Sequence, residues 1–387
     1  MQRRTYLSVV GLTACGTVGG CLGTDSESSG DGVSVETITE ALSHPWGMAF
    51  LPEDPQIVVT ERDSGRVVLT DRETGGSEAV DGVPNVSAAG QGGLLDVTLH
   101  PEFPDEPWLY LTYSAANTEG ETTTHLGRGR LDVSTASLTE FELLHAADPF
   151  LDRANHYGSR VVFGPDGLLY MTVGDRQFKD FGPDHVAQET TNDLGSTLRF
   201  RPDGSIPADN PFVADPEARD EIYSYGHRNP QGMTVHPETG EIWQSEHGER
   251  DGDELNRLQQ GGNYGWPVAS EACRYGTDQP VGEAHANRED VVDPVYYWEC
   301  GSGGFPPSGM TFYDGAYSNW QGDLFVGNLA DQYLGRFSVD GTTVEEREPL
   351  VADRGWRIRE VSTDPATGEL YALVDADPAP LVRLSPA

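Results

Sequence analysis

The sequence predicts an all-β chain, a six-bladed β-propeller of four-stranded antiparallel blades, on three observations. One phrase recurs six times: an apolar strand, a turn around Pro or Gly, then a second apolar strand. Glycine (46) and proline (26) are abundant while apolar residues reach only 36%, the usage of many short strands joined by tight turns and not of long helices. No stretch after residue 25 is apolar and long enough to cross a bilayer.

The N-terminus reads as an address. Arg3-Arg4 precede the mildly apolar stretch Thr5 to Gly20, too short and glycine-rich to span stably. Twin arginines predict export of an already folded protein. Val18-Gly19-Gly20-Cys21 has the form of a lipobox, whose cleavage leaves a lipidated Cys21 as membrane anchor. Residues 1–20 are therefore expected to be a twin-arginine lipoprotein signal, 21–36 a lipidated cysteine and flexible tether, and 37–387 the propeller. The tether expectation rests on the Ser/Gly/Asp-rich run from Gly23 to Gly32. An ordinary secretory signal is the competing reading. Either one places the mature chain outside the cell.

The six instances begin at Trp46-Gly47-Met48-Ala49-Phe50, Val97-Thr98-Leu99-His100-Pro101, Val161-Val162-Phe163-Gly164-Pro165, Met233-Thr234-Val235-His236-Pro237, Met310-Thr311-Phe312-Tyr313 and Val361-Ser362-Thr363-Asp364-Pro365. The second strand is plain in Leu168 to Val173, Leu324-Phe325-Val326 and Leu370 to Val374. Alternating β-branched and aromatic residues fit half-buried antiparallel strands. Six units of about 60 residues each suffice for four-stranded blades plus loops. The two longest inserts, around Lys179–Asp209 and Val268–Gly304, are expected to cover one mouth of the channel. A pair of β-sandwiches is the structural alternative. Cys273 and Cys300 are the cysteines of the mature body; outside the cell they either pair or stay as buried thiols.

Charge narrows the partners. There are 63 acidic against 25 basic residues, a formal net charge of -38, and Lys179 is the only lysine. Such a surface repels nucleic acid and anionic lipid, so no nucleic-acid partner is expected. Its self-repulsion is relieved when salt screens it, which points to a halophilic source.

Seven longer motifs occur in order: His44 to Phe50, Gly90-Gln91-Gly92-Gly93-Leu94-Leu95-Asp96, Asn155-His156-Tyr157-Gly158-Ser159-Arg160, Gly226-His227-Arg228-Asn229-Pro230-Gln231-Gly232, Gly248 to Asn256, Gly261-Gly262-Asn263-Tyr264-Gly265-Trp266-Pro267 and Arg357-Ile358-Arg359. On these the chain, from about Leu42 to Leu384, resembles the glucose/sorbosone dehydrogenase family, in a haloarchaeal-type version. Soluble members of that family oxidise aldose sugars at the anomeric carbon to lactones. They use pyrroloquinoline quinone (PQQ) and calcium, and pass electrons on to an acceptor that the sequence does not identify.

The resemblance implies roles. His156 falls at the family's base position, and an imidazole neutral near pH 7 suits that task. Asp175, nineteen residues on, matches its carboxylate partner. Arg228, Asn229 and Gln91 match donors at the reacting end of the quinone, where negative charge builds as hydride arrives. Arg357 and Arg359, one residue apart on a strand, share a face and match the pair that holds the cofactor's carboxylates. One calcium is implied at the backbone carbonyls of Gly248 and Glu249. A second, structural calcium is implied at the Glu254 side chain and the Tyr264 carbonyl.

Two positions depart from the family pattern. Glu249 stands where proline is usual, so its carboxylate joins or distorts the first calcium site. Ala330, in Gly327 to Asp331, stands where some relatives place a cofactor-binding lysine, with Arg336 one candidate replacement. The chain shows no dinucleotide fingerprint, Walker loop, His-Glu-x-x-His motif or Gly-x-Ser-x-Gly elbow. Two rivals remain: a non-catalytic propeller that binds an extracellular ligand or glycan, and a calcium-dependent lactonase or esterase whose metal sits on side-chain carboxylates in the channel.

Overall fold

Each of the six repeated phrases folds as the innermost strand of one blade. In the computed structural model, which describes residues 26–28, 32–52 and 54–387, these strands are Pro45–Phe50, Leu94–Leu99, Val161–Phe163, Pro230–Val235, Pro307–Phe312 and Ile358–Thr363. Each contacts the innermost strand on either side, so they form a closed ring. Each also starts an antiparallel meander running outward, and the six sheets are the six blades, numbered here from Pro45. The twin-arginine and Cys21 features lie outside the described residues. Among those residues the helices are four short 3-10 turns.

Blade 6 closes the ring with both ends of the chain. Val33–Leu42 pairs antiparallel with Ala379–Pro386, in register Val35 to Leu384 and Thr37 to Val382, and Ser26–Ser28 adds a fifth strand. The propeller therefore begins before residue 37. Val33 and Val35 are buried in the blade 5–6 core, so the ladder shortens the tether expected over 21–36.

Six apolar clusters hold the ring, one at each interface between blades. Strand Gln56–Glu61 shows how. Ile57 and Val59 pack against Leu373 and Leu381 of blade 6, whereas Val58 between them packs against Leu94 and Leu109 of blade 2. Successive side chains leave opposite faces of a strand, and here both faces are covered. Second strands therefore read as unbroken apolar runs and not as alternation. A fully buried Val or Leu contributes about 1.5–3 kcal/mol.

A buried ion cluster fills the channel. Arg160, on the innermost edge of blade 3, reaches Asp96 of blade 2 at 3.0 Å and also Glu360 of blade 6. Its Nε donates to the Gln231 carbonyl of blade 4 (3.0 Å) and its guanidinium lies over Trp46 of blade 1. One arginine thus ties five blades together. Because Asp96 and Glu360 are both paired with Arg160, these channel carboxylates do not form the open metal cage that the lactonase rival requires.

In an antiparallel blade the start of the first strand and the end of the second lie at the same mouth. Gln91, His156, Arg228, Asn229 and Arg357 lie within five residues before first strands, with Arg359 just inside one; Asp175, Gly248 and Glu249 lie within three residues after second strands. The inserts divide between the two mouths. Residues 177–195 follow the second strand of blade 3 and lie at this mouth, but 201–221 follow its third strand, Ser196–Phe200, and lie at the opposite end. That part of the expected Lys179–Asp209 cover is not a cover, because an extra antiparallel strand reverses the chain. The other insert does reach the mouth, through Tyr275, Gly303 and Gly304. A Cys273–Cys300 disulfide spans it, with Cα atoms 5.4 Å apart.

Candidate functional site

The mouth holds two cavities of about 290 and 270 Å³ with Gln91, His247 and Pro306 as a common wall. His156, Arg228, Asn229, Gly248 and Glu249 line the first, and Arg357, Arg359 and Ala330 line the second. The ring closure has gathered residues spread over nearly 270 positions of sequence into one depression.

His156 Nδ1 lies 2.6 Å from Asp175 Oδ1. The same carboxylate accepts hydrogen bonds from the Gln177 backbone N–H and from Trp266 Nε1, each at 2.8 Å. Burial pushes Asp175 up, but the His156 ring, Arg228 and His185 outweigh it and hold the carboxyl below the usual carboxylate range. Burial, then Arg228, lowers His156 below the usual imidazole value. The pair at neutral pH is an ionised carboxylate and a neutral ring whose proton sits on Nδ1, leaving Nε2 to accept.

The backbone beneath the ring is shaped for this. His156 sits at φ 49°, in the left-handed region, and its N–H donates to Gln91 Oε1 at 2.8 Å. Gln91 thus fixes the base as well as facing the cavity. Asn229 Oδ1 accepts from the Gly158 N–H at 3.2 Å on the other side of the loop. Gly174 is required here, because a Cβ at that position would lie 2.4 Å from the His156 carbonyl oxygen. Buried Arg176 braces the loop, donating to the Asn155 carbonyl (3.0 Å) and the Thr122 carbonyl (2.8 Å) while stacked on Tyr157. Nothing local in the sequence marks Arg176 for this role.

Arg228 is buried over Trp266, with Nη2 2.7 Å from Glu249 Oε2. Lys179, the one lysine, caps the same carboxylate at 2.6 Å from Oε1. The Glu249 side chain is therefore held between two cations. Its carbonyl and that of Gly248 accept no hydrogen bond among the described residues, and Asp251 and Asp253 line the same cavity. Free carbonyls backed by carboxylates suit a hard cation.

Arg359, buried, donates to Gln231 Oε1 at 2.9 Å and to Asp375 Oδ2 at 2.7 Å. Arg357, half-exposed, shares Asp375 at 3.4 Å and the Leu329 carbonyl. The two arginines face one cavity, as their spacing predicts. Arg228 Nε, Arg359 Nε and His247 Nε2 are buried without a hydrogen-bond partner, and the three side chains line the two cavities, a donor set suited to an anionic, polar ligand.

Ala330 lines the arginine cavity, but Arg336 does not replace the missing lysine: it is bound to Asp323 (2.6 Å) and the Asn319 carbonyl away from the site. Arg62 lines the cavity instead. Sequence reasoning missed Arg62 and His247. Each lies directly after the second strand of its blade, in the place Asp175 occupies in blade 3, and that positional equivalence was the available signal.

The pair Glu254 and Tyr264 does not present an open cation site. Tyr264 O lies 3.2 Å from His285 Nε2, and Glu254 Oε1 lies 3.8 Å from the same nitrogen. Burial raises Glu254 to about 8. Burial alone would lower His285, but Glu254 and Glu271 outweigh it and push the ring up to about 9.

Comparison with known proteins shows the family and the fold. Residues 42–383 match the Glucose / Sorbosone dehydrogenase family. The chain is 39% identical over 358 residues to aldose sugar dehydrogenase YliI of Escherichia coli (strain K12), covering 92% of this chain and 93% of that one. The apo-form crystal structure of the soluble aldose sugar dehydrogenase from Escherichia coli superposes with a TM-score of 0.85 at 38% identity, over 92% of this chain and all of that one. The PQQ-bound form of aldose sugar dehydrogenase from Streptomyces coelicolor superposes with a TM-score of 0.74 at 26% identity, over 94% of this chain and 99% of that one.

Proposed function

The chain belongs to the glucose/sorbosone dehydrogenase family, and from that footing we propose that it oxidises aldose sugars at the anomeric carbon to lactones, using PQQ and calcium. One observation carries the reading: His156, backed by buried Asp175, the Arg228–Asn229 pair and the Arg357–Arg359 pair border two adjoining cavities at one mouth of the ring. When bound, the quinone supplies the hydride acceptor and calcium polarises it. Arg357 and Arg359, with Arg62 beside them, hold its carboxylates by charge-assisted hydrogen bonds. Arg228 and Asn229 stabilise the oxygen that becomes anionic. His156 Nε2 takes the proton of the C1 hydroxyl, and Asp175 stabilises the resulting imidazolium and fixes the ring. The sugar gives up one proton and one hydride in all, and the electrons would leave to an external acceptor of unassigned identity.

We further propose that the protein works outside the cell as a lipoprotein anchored through Cys21 and exported by the twin-arginine route, in a salt-rich setting. The Arg3-Arg4 and Cys21 motifs and the net charge of -38 support this. The test is reconstitution of the purified protein with calcium and PQQ across a range of salt, with His156→Ala as control. Reduction of a dye by an aldose, abolished in the variant, is the expected result. Failure to reduce the dye with any aldose at any salt would refute the enzyme reading, and the absence of saturable quinone binding would favour a binding propeller.

A further inference from the structure

We propose that His285 takes the place of a structural cation at Glu254 and Tyr264, so that the chain secures this point with its own side chain and not with a second calcium. The expected ligand pair comes from the family assignment; the replacement comes from the geometry. A calcium site needs six to eight oxygens converging at about 2.3–2.6 Å. Here the two oxygens offered, Glu254 Oε1 and the Tyr264 carbonyl, both face one ring nitrogen at 3.8 and 3.2 Å. Imidazole nitrogen is a poor ligand for calcium but a good donor to a carbonyl.

One edge of the ring is hydrogen-bonded, Nε2 to the Tyr264 carbonyl, while buried Nδ1 has no hydrogen-bond partner. Glu271 Oε1 accepts from the His285 backbone N–H at 3.0 Å and lies 3.6 Å from Nδ1. The other Glu254 oxygen accepts from Asn256 Nδ2 at 3.2 Å. The ring thus lies between two carboxylates and a carbonyl, fully buried, and fills the space into which those oxygens would otherwise converge on an ion. It arrives on the insert. Ala269 bridges Glu283, Ser270 N–H donates to Glu283 O at 2.8 Å, and the Cys273–Cys300 disulfide closes the loop. Trp266, just before the insert, donates to Asp175, two residues from the Tyr264 carbonyl that His285 holds.

The test is metal uptake by chelator-treated protein without quinone or sugar, so failure here is separable from failure of the redox reading. Calcium stoichiometry and calcium-dependent Tm are compared in wild type, Glu254→Gln, His285→Gly and the double variant. The expected result has two parts: Glu254→Gln takes up as much calcium as wild type, and His285→Gly gains one ion and a calcium-dependent rise in Tm of several degrees that the double variant loses. A wild-type calcium ion lost in Glu254→Gln would overturn the proposal. So would zinc uptake that depends on both Glu254 and His285, because the ring would then be a ligand. Should His285→Gly fail to fold, the wild-type and Glu254→Gln comparison still decides it.

Discussion

Replacing Asp175 with asparagine isolates what this carboxylate does for His156. The side chain keeps its shape, but one acceptor oxygen becomes a donor. Three donors now converge on it: His156 Nδ1 at 2.6 Å, and Gln177 N–H and Trp266 Nε1 at 2.8 Å. An amide facing His156 with its oxygen sets its own N–H against the indole and withdraws a full charge from the imidazolium. The opposite orientation drives the ring proton to Nε2, where the ring no longer accepts. A hydrogen bond to a charged group is worth about 1.5–3 kcal/mol, and about 1.36 kcal/mol is tenfold in rate. The first orientation therefore lowers kcat about 10- to 100-fold, and the wrong tautomer lowers it toward about 10⁴-fold. The pH profile carries a second signature. Turnover needs His156 unprotonated, and burial and Arg228 place its titration below the ordinary 6.5, so kcat/KM rises through the acid limb and levels off before neutrality. The Asp175 charge is the main influence opposing that depression; without it the limb moves further to acid while the plateau falls. The assay is dye reduction by reconstituted enzyme across pH, alongside quinone titration to show that the cofactor still binds. A kcat within threefold of wild type with an unmoved acid limb would refute the assigned pair.

Three other outcomes follow from the same geometry. Arg359→Gln removes a buried charge-assisted donor and weakens PQQ binding by about 2–3 kcal/mol, roughly 30- to 100-fold in Kd by equilibrium titration, whereas Arg336→Gln changes it less than threefold. Arg160→Met leaves Asp96 and Glu360 buried without their cation and lowers unfolding free energy by about 3–5 kcal/mol in denaturant titration; adding Glu360→Met restores part of it. Replacing Cys273 and Cys300 with serine frees the 27-residue separation and lowers stability by about 3–4 kcal/mol, seen as an earlier thermal transition that reductant reproduces in wild type.

The architecture was legible because a propeller repeats. A strand buried on both sides needs the same apolar run in every blade, so Val161, Met233 and Val361 announce equivalent positions without reference to one another. The site was legible where function demands a residue type beside such a strand: His156, Arg228 and Arg357 each stand at a first-strand start. Arg62 and His247 were overlooked because a lone arginine or histidine after a second strand carries no local pattern. The tether boundary failed because Val33–Leu42 looks like any short strand until its partner, more than 340 residues away, is known.

What the sequence by itself determined is the unit: strand lengths, turns, the order of the motifs and the chemical kinds present at the mouth. Local backbone preference and apolar periodicity act within a few residues, so they can be read along the chain. What only the tertiary structure decided is which groups meet. Ring closure brings His44 within 3.2 Å of Asp375 and sets Arg160 against Glu360. Within blade 4, the insert delivers His285 between Glu254 and Tyr264, where a cation was expected. Electrostatic partnership depends on distance in space, and a closed ring makes that distance nearly independent of separation along the chain.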